Sequence, residues 1–459
     1  MPTKGNLSKG LVLALLLTLV PSIAFSAQKI VPGTACPSLG ITKIDAGKKY
    51  FCVLRKDSLL WNKGVDWVAR TPATSPAPTP SSVATPSPTS TSVLTNSSTY
   101  LDISSCKLGI GTSRIGVGFS QNQYRVRNTK PIRALIFPID FPDLVATSDP
   151  KKDFASITAG VSEYYKNLSE GRSIIEWTIF PNYVRYATKV ADANLGGRTT
   201  NGYGLFKSQS ENLAKQNLNL SGFDLVVYAP PLTTTREQIA INPAFIADSP
   251  TDINSTMLDG QSYAQRFQFL TLTHELGHLM GLADLYNYNA ANESAATGSQ
   301  NTFELQFKYM GIFDLMNWAT GPGVELTSWN RWLIDLITDD QIRCLPNLST
   351  TTLLTPVEVI GGIKGAVIPL SATEAIVIES RRALRYDNEI GKSSEGALIY
   401  KVNTSIGTGP MKVISRPGSN DIWHRDAPLK VNETYSVDGY SISVIESGIF
   451  GDVIKVTKN

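Results

Sequence analysis

His274-Glu275-Leu276-Gly277-His278 is followed closely by Gly281 and Asp284. Imidazoles four residues apart on a helix lie on one face, so His274 and His278 can hold one metal ion through their ring nitrogens. Zinc held by neutral imidazoles lowers the pKa of its water to about 7, and a neighbouring carboxylate can take the proton as that water attacks a carbonyl. Glu275 is placed to be this general base. Gly281 suits the left-handed conformation of a helix C-cap, after which the chain can turn back and deliver Asp284 as the third ligand. Glu304 and Glu325 are the alternative third ligands. The chain has 3 histidines; the remaining one, His424, stands apart beside Trp423 and Arg425 and reads as a packing residue.

The pair needs a helix, and Phe267 to Met280 supplies one: it is rich in apolar residues, holds no proline and has only Gly277 as a weak helix former. Upstream, Ile132 to Pro138, Ile174 to Phe180 and Phe223 to Tyr228 read as strands, and Phe154 to Leu168 and Leu205 to Leu218 as helices. This alternation predicts an α+β fold with a mixed sheet and helices packed on it. Asn287 to Asn301 is rich in Ala, Asn, Ser and Gly and reads as a flexible loop over the cleft. Oxygens of Asp284, Asn287 and Asn289 could also attract calcium, although an ordinary polar loop is the plainer reading. From Asn347 onward the texture changes to short apolar runs. Val367 to Leu370, Ala375 to Ile378, Ala397 to Val402, Ser441 to Ile445 and Val453 to Val456 predict a β-sandwich-like domain of about 110 residues.

These residues resemble a known group. HExxHxxGxxD is the pattern of metzincin-type metallopeptidases, and HELGHLMGLADLY is most similar to the immune inhibitor A family of secreted bacterial metallopeptidases. Val161-Ser162-Glu163-Tyr164-Tyr165 and Ser169-Glu170-Gly171-Arg172 resemble the family's block ahead of its first strands. Gly311 to Met316 resembles its "GxWDxM" segment, and Leu326 to Trp329 the helix that follows. Ile376 to Arg381 and Gly396 to Tyr400 resemble "LxExR" and "GxLIY" strands of the adjoining β-domain. The likeness spans roughly residues 130 to 459. It implies a zinc peptidase domain, with Met316, or alternatively Met310, in the methionine turn beneath the metal. Ala283 stands where the family has Pro, and Asn287 where it has Asp. The commonest metzincins carry His as third ligand, but a carboxylate also suits zinc.

The 459-residue length suggests several domains. Lys4 and Lys9 precede an apolar core from Gly10 to Val20, and Ala24-Phe25-Ser26 offers a cleavage site, so residues 1–26 read as a secretory signal peptide. The core is shorter than the roughly 18 residues of a membrane span, and no stable membrane insertion is expected after cleavage. Residues 27–70 form a small cysteine-containing module, which could associate with a cell surface or serve as a spacer. Residues 71–99 hold no charged residue and are rich in Pro, Ser and Thr, the composition of an extended linker. Residues 100–346 would form the catalytic domain and 347–459 the β-rich one.

Export would let the 4 cysteines oxidise. Proximity pairs Cys36 with Cys52, leaving Cys106 for Cys344; an alternative role for Cys106 is a latency thiolate on the zinc. The 42 basic and 39 acidic side chains nearly balance, giving no case for a nucleic-acid partner. The expected activity is that of a secreted zinc endopeptidase acting on protein or peptide substrates. A zinc amidase acting on cell-wall peptides and a non-catalytic surface-binding protein are the alternatives. Glu275 counts against the second of these, since a binding scaffold needs no base beside a metal. A closed structural zinc site would usually include cysteines, and none lies near this helix.

Overall fold

A computed structural model describes residues 29–36, 42–46, 48–55, 58–61, 65–66, 100–109, 115–196, 202–240, 242–260, 269–298, 301–346 and 348–459. The expected signal peptide and linker lie outside the described residues. The chain divides into two compact units, Met1–Thr74 and Ser75–Asn459. In the first, β1 (Thr42–Asp45), β2 (Lys48–Arg55), β3 (Ser58–Trp61) and β4 (Val65–Asp66) pair antiparallel about β2. Ile30, Cys36, Tyr50 and Trp61 form its core. Cys36 is disulfide-bonded; the side chain of Cys52 lies outside the described ones.

The second unit begins with a mixed sheet. Its strands are β5 (Ile132–Asp140), β6 (Ile175–Ile179), β7 (Val184–Arg185), β8 (Leu225–Ala229), β9 (Ala244–Phe245) and β10 (Asn254–Met257). The order is β6-β5-β8-β10-β9, with β7 pairing beside β6 on β5. All pairs are parallel except β9 with β10. β5 is buried along its length apart from Arg133, as a central parallel strand covered on both faces should be.

Helix α1 (Pro150–Leu168) starts where Asp149 accepts the Lys151 amide and Pro150 needs no partner for a missing N–H. Its buried stripe, Phe154, Ile157, Val161, Tyr164, Tyr165 and Leu168, has helical spacing. Helix α2 (Tyr203–Asn217) packs through Tyr203, Phe206 and Ala214 into a core with Leu135, Phe137, Val226 and Tyr228 of the sheet. Helix α3 (Leu270–Met280) carries the histidines and packs on α1. Tyr165 Oη donates to Thr273 O at 2.8 Å, locking the two helices together.

The stretch Asn287 to Asn301 departs from the expected flexible loop. It contains α4 (Ala290–Thr297), which ends in left-handed Gly298, and α5 (Thr302–Phe307) begins directly after it with Asn301 as N-cap. The physical reason is alanine: the run AANESAAT has the side chains that lose least on entering a helix. The last helix, α6 (Ser328–Leu333), is capped by Thr327, whose side chain accepts the Asn330 amide.

The remaining strands are β11 (Ile342–Cys344), β12 (Thr350–Leu354), β13 (Gly365–Pro369), β14 (Glu374–Arg381), β15 (Gly396–Asn403), β16 (Met411–Val413), β17 (Thr434–Val437), β18 (Tyr440–Gly448) and β19 (Gly451–Lys458). They form two sheets, β11-β13-β14-β15-β16 and β12-β19-β18-β17. Ile368, Ile376, Ile378 and Ile399 of the first share a core with Leu354, Ile442, Val444, Ile454 and Val456 of the second. Cys106 is bonded to Cys344 with Cα atoms 5.8 Å apart, which replaces the latency-thiolate alternative for Cys106 with a structural bridge. Among the described residues no helix is long and apolar enough to cross a membrane.

The other face of the five-stranded sheet is also buried, and it is charged. Glu379 and Arg381 leave β14 on the side opposite Ile376 and Ile378. Arg381 binds Glu379 at 2.7 Å and Asp387 at 2.6 Å, while Glu325 binds Arg331 at 2.5 Å and Arg385 at 3.0 Å. Glu379 also accepts from Ser328 Oγ at 2.7 Å and Tyr400 Oη at 3.0 Å. Three guanidinium groups thus balance three carboxylates, and all six side chains are buried. Glu325→Ala, which leaves Arg331 and Arg385 without their shared carboxylate, should lower stability by about 3–5 kcal/mol. Denaturant unfolding of the full chain checks this; a loss below about 1 kcal/mol would match an exposed pair instead.

Candidate metal centre

Helix α3 is wholly apolar except for Thr271, Thr273, His274, Glu275 and His278, and from Leu272 onward every residue is buried. Gly277 lets it lie on Met316: a β-carbon there would stand 2.8 Å from Met316 Sδ. Met316 thus packs against the helix at Gly277, between the two histidines in sequence. Gly281 ends the helix at φ 113°, and its amide bonds back to His278 O at 2.9 Å. The chain reverses there and returns Asp284 to the histidines.

His274, His278 and Asp284 each offer one ligand atom, and these atoms lie within 4.8 Å of one another. Asp284 Oδ1 is 3.0 Å from His274 Nε2 and 3.3 Å from His278 Nε2. Each ring is oriented through its other nitrogen. His274 Nδ1 is 3.0 Å from Leu315 O, and His278 Nδ1 is 2.8 Å from Leu282 O. With Nδ1 donating to the carbonyl, loss of the Nε2 proton would leave both Nε2 lone pairs directed at the shared space for an ion. Two imidazole nitrogens and a carboxylate oxygen, buried and converging, are a donor set that fits zinc.

The electrostatics follow from burial. Burial pushes His278 down, but Asp284, reinforced by Glu275, outweighs it and holds the imidazole at about 9. Burial raises Asp284, yet the two imidazoles override this and keep it far below the ordinary carboxylate range. Burial pushes Glu275 up to about 7 against the pull of both histidines. Without a cation, His278 thus carries the positive charge that faces Asp284.

Glu325, an alternative third ligand, is buried between Arg331 and Arg385, and Glu304 lies in the first turn of α5; neither joins the group. Asn287 Oδ1 accepts the Asn289 amide at 3.0 Å, closing a local turn after Asp284. His424 is buried, with Nε2 2.7 Å from Lys308 O and Nδ1 3.0 Å from Ser415 Oγ, which accounts for both ring nitrogens.

Two supporting groups have no role assigned to them by the sequence, although Asp314 lies in the block from Gly311 to Met316. Asp314, at φ 77°, accepts the Met316 amide at 2.8 Å through one oxygen, and the Thr327 amide at 2.7 Å and Asn330 Nδ2 at 3.0 Å through the other. It shapes the turn carrying Leu315 O and Met316, and its place two residues before Met316 was the available signal. The second is Tyr288, whose hydroxyl donates to Asp284 Oδ2. No local spacing pattern announces it.

No protein-family model matches the chain, and no curated protein matches it either. Gly281→Ala would place a methyl 1.9 Å from Gln121 Oε1 on a left-handed backbone. It should cost at least about 1–2 kcal/mol. Chemical denaturation measures this, and an unchanged midpoint would mean that the helix terminus tolerates a different path.

Proposed function

We propose that this chain is a secreted zinc-dependent endopeptidase that hydrolyses peptide bonds in proteins. The observation that carries the reading is the convergence of His274, His278 and Asp284 beside buried Glu275. His274 and His278 would hold the ion through Nε2 and Asp284 through a carboxylate oxygen. Bound there, zinc supplies Lewis acidity, polarising a carbonyl and acidifying water. Glu275 takes the proton of the attacking water on its carboxylate and passes it to the leaving amine nitrogen as the C–N bond breaks. One water is consumed, and a carboxylic acid and an amine are released. The buried walls of α3 and the Met316 turn keep bulk water from screening this proton transfer.

Further support comes from the arrangement of sheet and helices. The mixed sheet, the histidine helix ended by glycine and a methionine packed beneath it suit a metzincin-like domain of the immune inhibitor A kind. The two sheets sharing one core suit a β-sandwich-like C-terminal part. The Cys106–Cys344 bridge suits an oxidising destination, as does the leader-like composition of residues 1–26.

Glu275→Gln should keep one zinc per chain and lose hydrolysis of unfolded casein by at least about 100-fold. His278→Ala should lose both zinc and hydrolysis. Metal analysis alongside a digestion assay with and without chelator checks both. Full activity in Glu275→Gln removes the base, and undiminished zinc in His278→Ala removes the ligand set.

A further inference from the structure

Asp284 has two oxygens with different surroundings. Oδ1 faces both imidazole Nε2 atoms, at 3.0 and 3.3 Å, whereas Oδ2 accepts the hydroxyl of Tyr288. We infer that Tyr288 is a positioning residue for the third metal ligand: its hydroxyl occupies Oδ2, so that Asp284 presents only Oδ1 to the ion. The inference rests on the zinc reading above.

A carboxylate on a short side chain can turn about its last bond and offer either oxygen, or both, to a cation. A hydrogen bond to one oxygen fixes the plane of the group and biases the other oxygen toward the metal. Such bonds to an ionised acceptor are stronger than neutral ones. Presentation of a single oxygen leaves coordination space for water and substrate, which a catalytic zinc site requires.

Tyr288 is delivered to this place from outside the metal-binding helix. Its neighbour Asn287 is buried and pinned to the helical hairpin formed by α4 and α5. The Asn287 amide donates to Gln306 O at 2.6 Å, and Nδ2 donates to Glu293 Oε2 at 2.9 Å and Leu305 O at 3.2 Å. Asn287 Oδ1 accepts from Asn289 N at 3.0 Å, which closes the turn around residue 288. The Tyr288 ring then stands edge-on to Tyr286, with centroids 4.9 Å apart. Although 61% of the Tyr288 surface is exposed, its hydroxyl is directed inward at a buried acid. The hairpin that reads in sequence as a loose polar loop is thus the scaffold that aims a phenol at the ligand.

Y288F removes the hydroxyl, with its bonds to Asp284 and to the Tyr286 side chain, and keeps the ring against Tyr286. The experiment measures zinc affinity of the full chain by competition with a chromophoric chelator, and the visible spectrum of the cobalt(II)-substituted protein. Thermal unfolding of the metal-free forms is measured in parallel. Y288F is expected to bind zinc about 10–100-fold more weakly and to show an altered cobalt spectrum, while its metal-free form still unfolds cooperatively at a midpoint lowered by loss of the bond to ionised Asp284. Zinc affinity within about twofold of wild type and a superimposable cobalt spectrum would overturn the assignment. Wild-type protein that takes up no zinc would overturn it together with the reading on which it rests; zinc uptake without proteolysis would fail that reading alone, and the affinity comparison would still decide the role of Tyr288.

Discussion

Six charges sealed behind the five-stranded sheet tie helix α6 and the segment before it to β14 and the turn that follows. Ions removed from water are costly unless each finds a counter-ion, and Glu325, Arg331, Glu379, Arg381, Arg385 and Asp387 each do. They come from the segment before α6, from α6, from β14 and from the turn after β14. Asp314 bonds to Thr327 and Asn330, at the start of the same helix, and to Met316 under the histidines. A continuous path of hydrogen bonds therefore sets the floor of the metal centre in register with a sheet formed much later in the chain.

The centre itself relies on the main chain for orientation. The two imidazoles are steered by carbonyls of Leu315 and Leu282 rather than by side-chain acids. Backbone acceptors survive substitution of those leucines as long as the chain keeps its path. The path depends on glycine at 281, on the methionine filling the space that Gly277 leaves, and on the carboxylate of Asp314. The three side chains are thus placed by shape as much as by the attraction between Asp284 and the imidazoles.

Legibility followed locality. His274, Glu275, His278 and Asp284 could be read because one helical turn and one glycine reversal bring them together. The long strands and α1 could be read because their apolar runs are continuous or keep helical spacing. β10 escaped notice because Asn254-Ser255-Thr256-Met257 looks polar yet is entirely buried, with Asn254 bonded to Tyr124 O and accepting from Ala247 N. The α4 segment was misread because its Asn and Ser suggested a loop while its alanines favoured a helix. The roles of Tyr288 and of the buried charges lay beyond reach for one shared reason: only partners remote in the chain define them.

The bridge between Cys106 and Cys344 encloses nearly the whole of the mixed sheet and the histidine helix, with 238 positions separating its ends. Any chain scission within that span leaves both fragments tethered. A molecule clipped by itself or by a neighbour would keep its mass under non-reducing conditions and come apart only on reduction. For a protein whose proposed work is cutting other chains outside the cell, the covalent loop turns an internal nick from loss of the enzyme into a survivable injury.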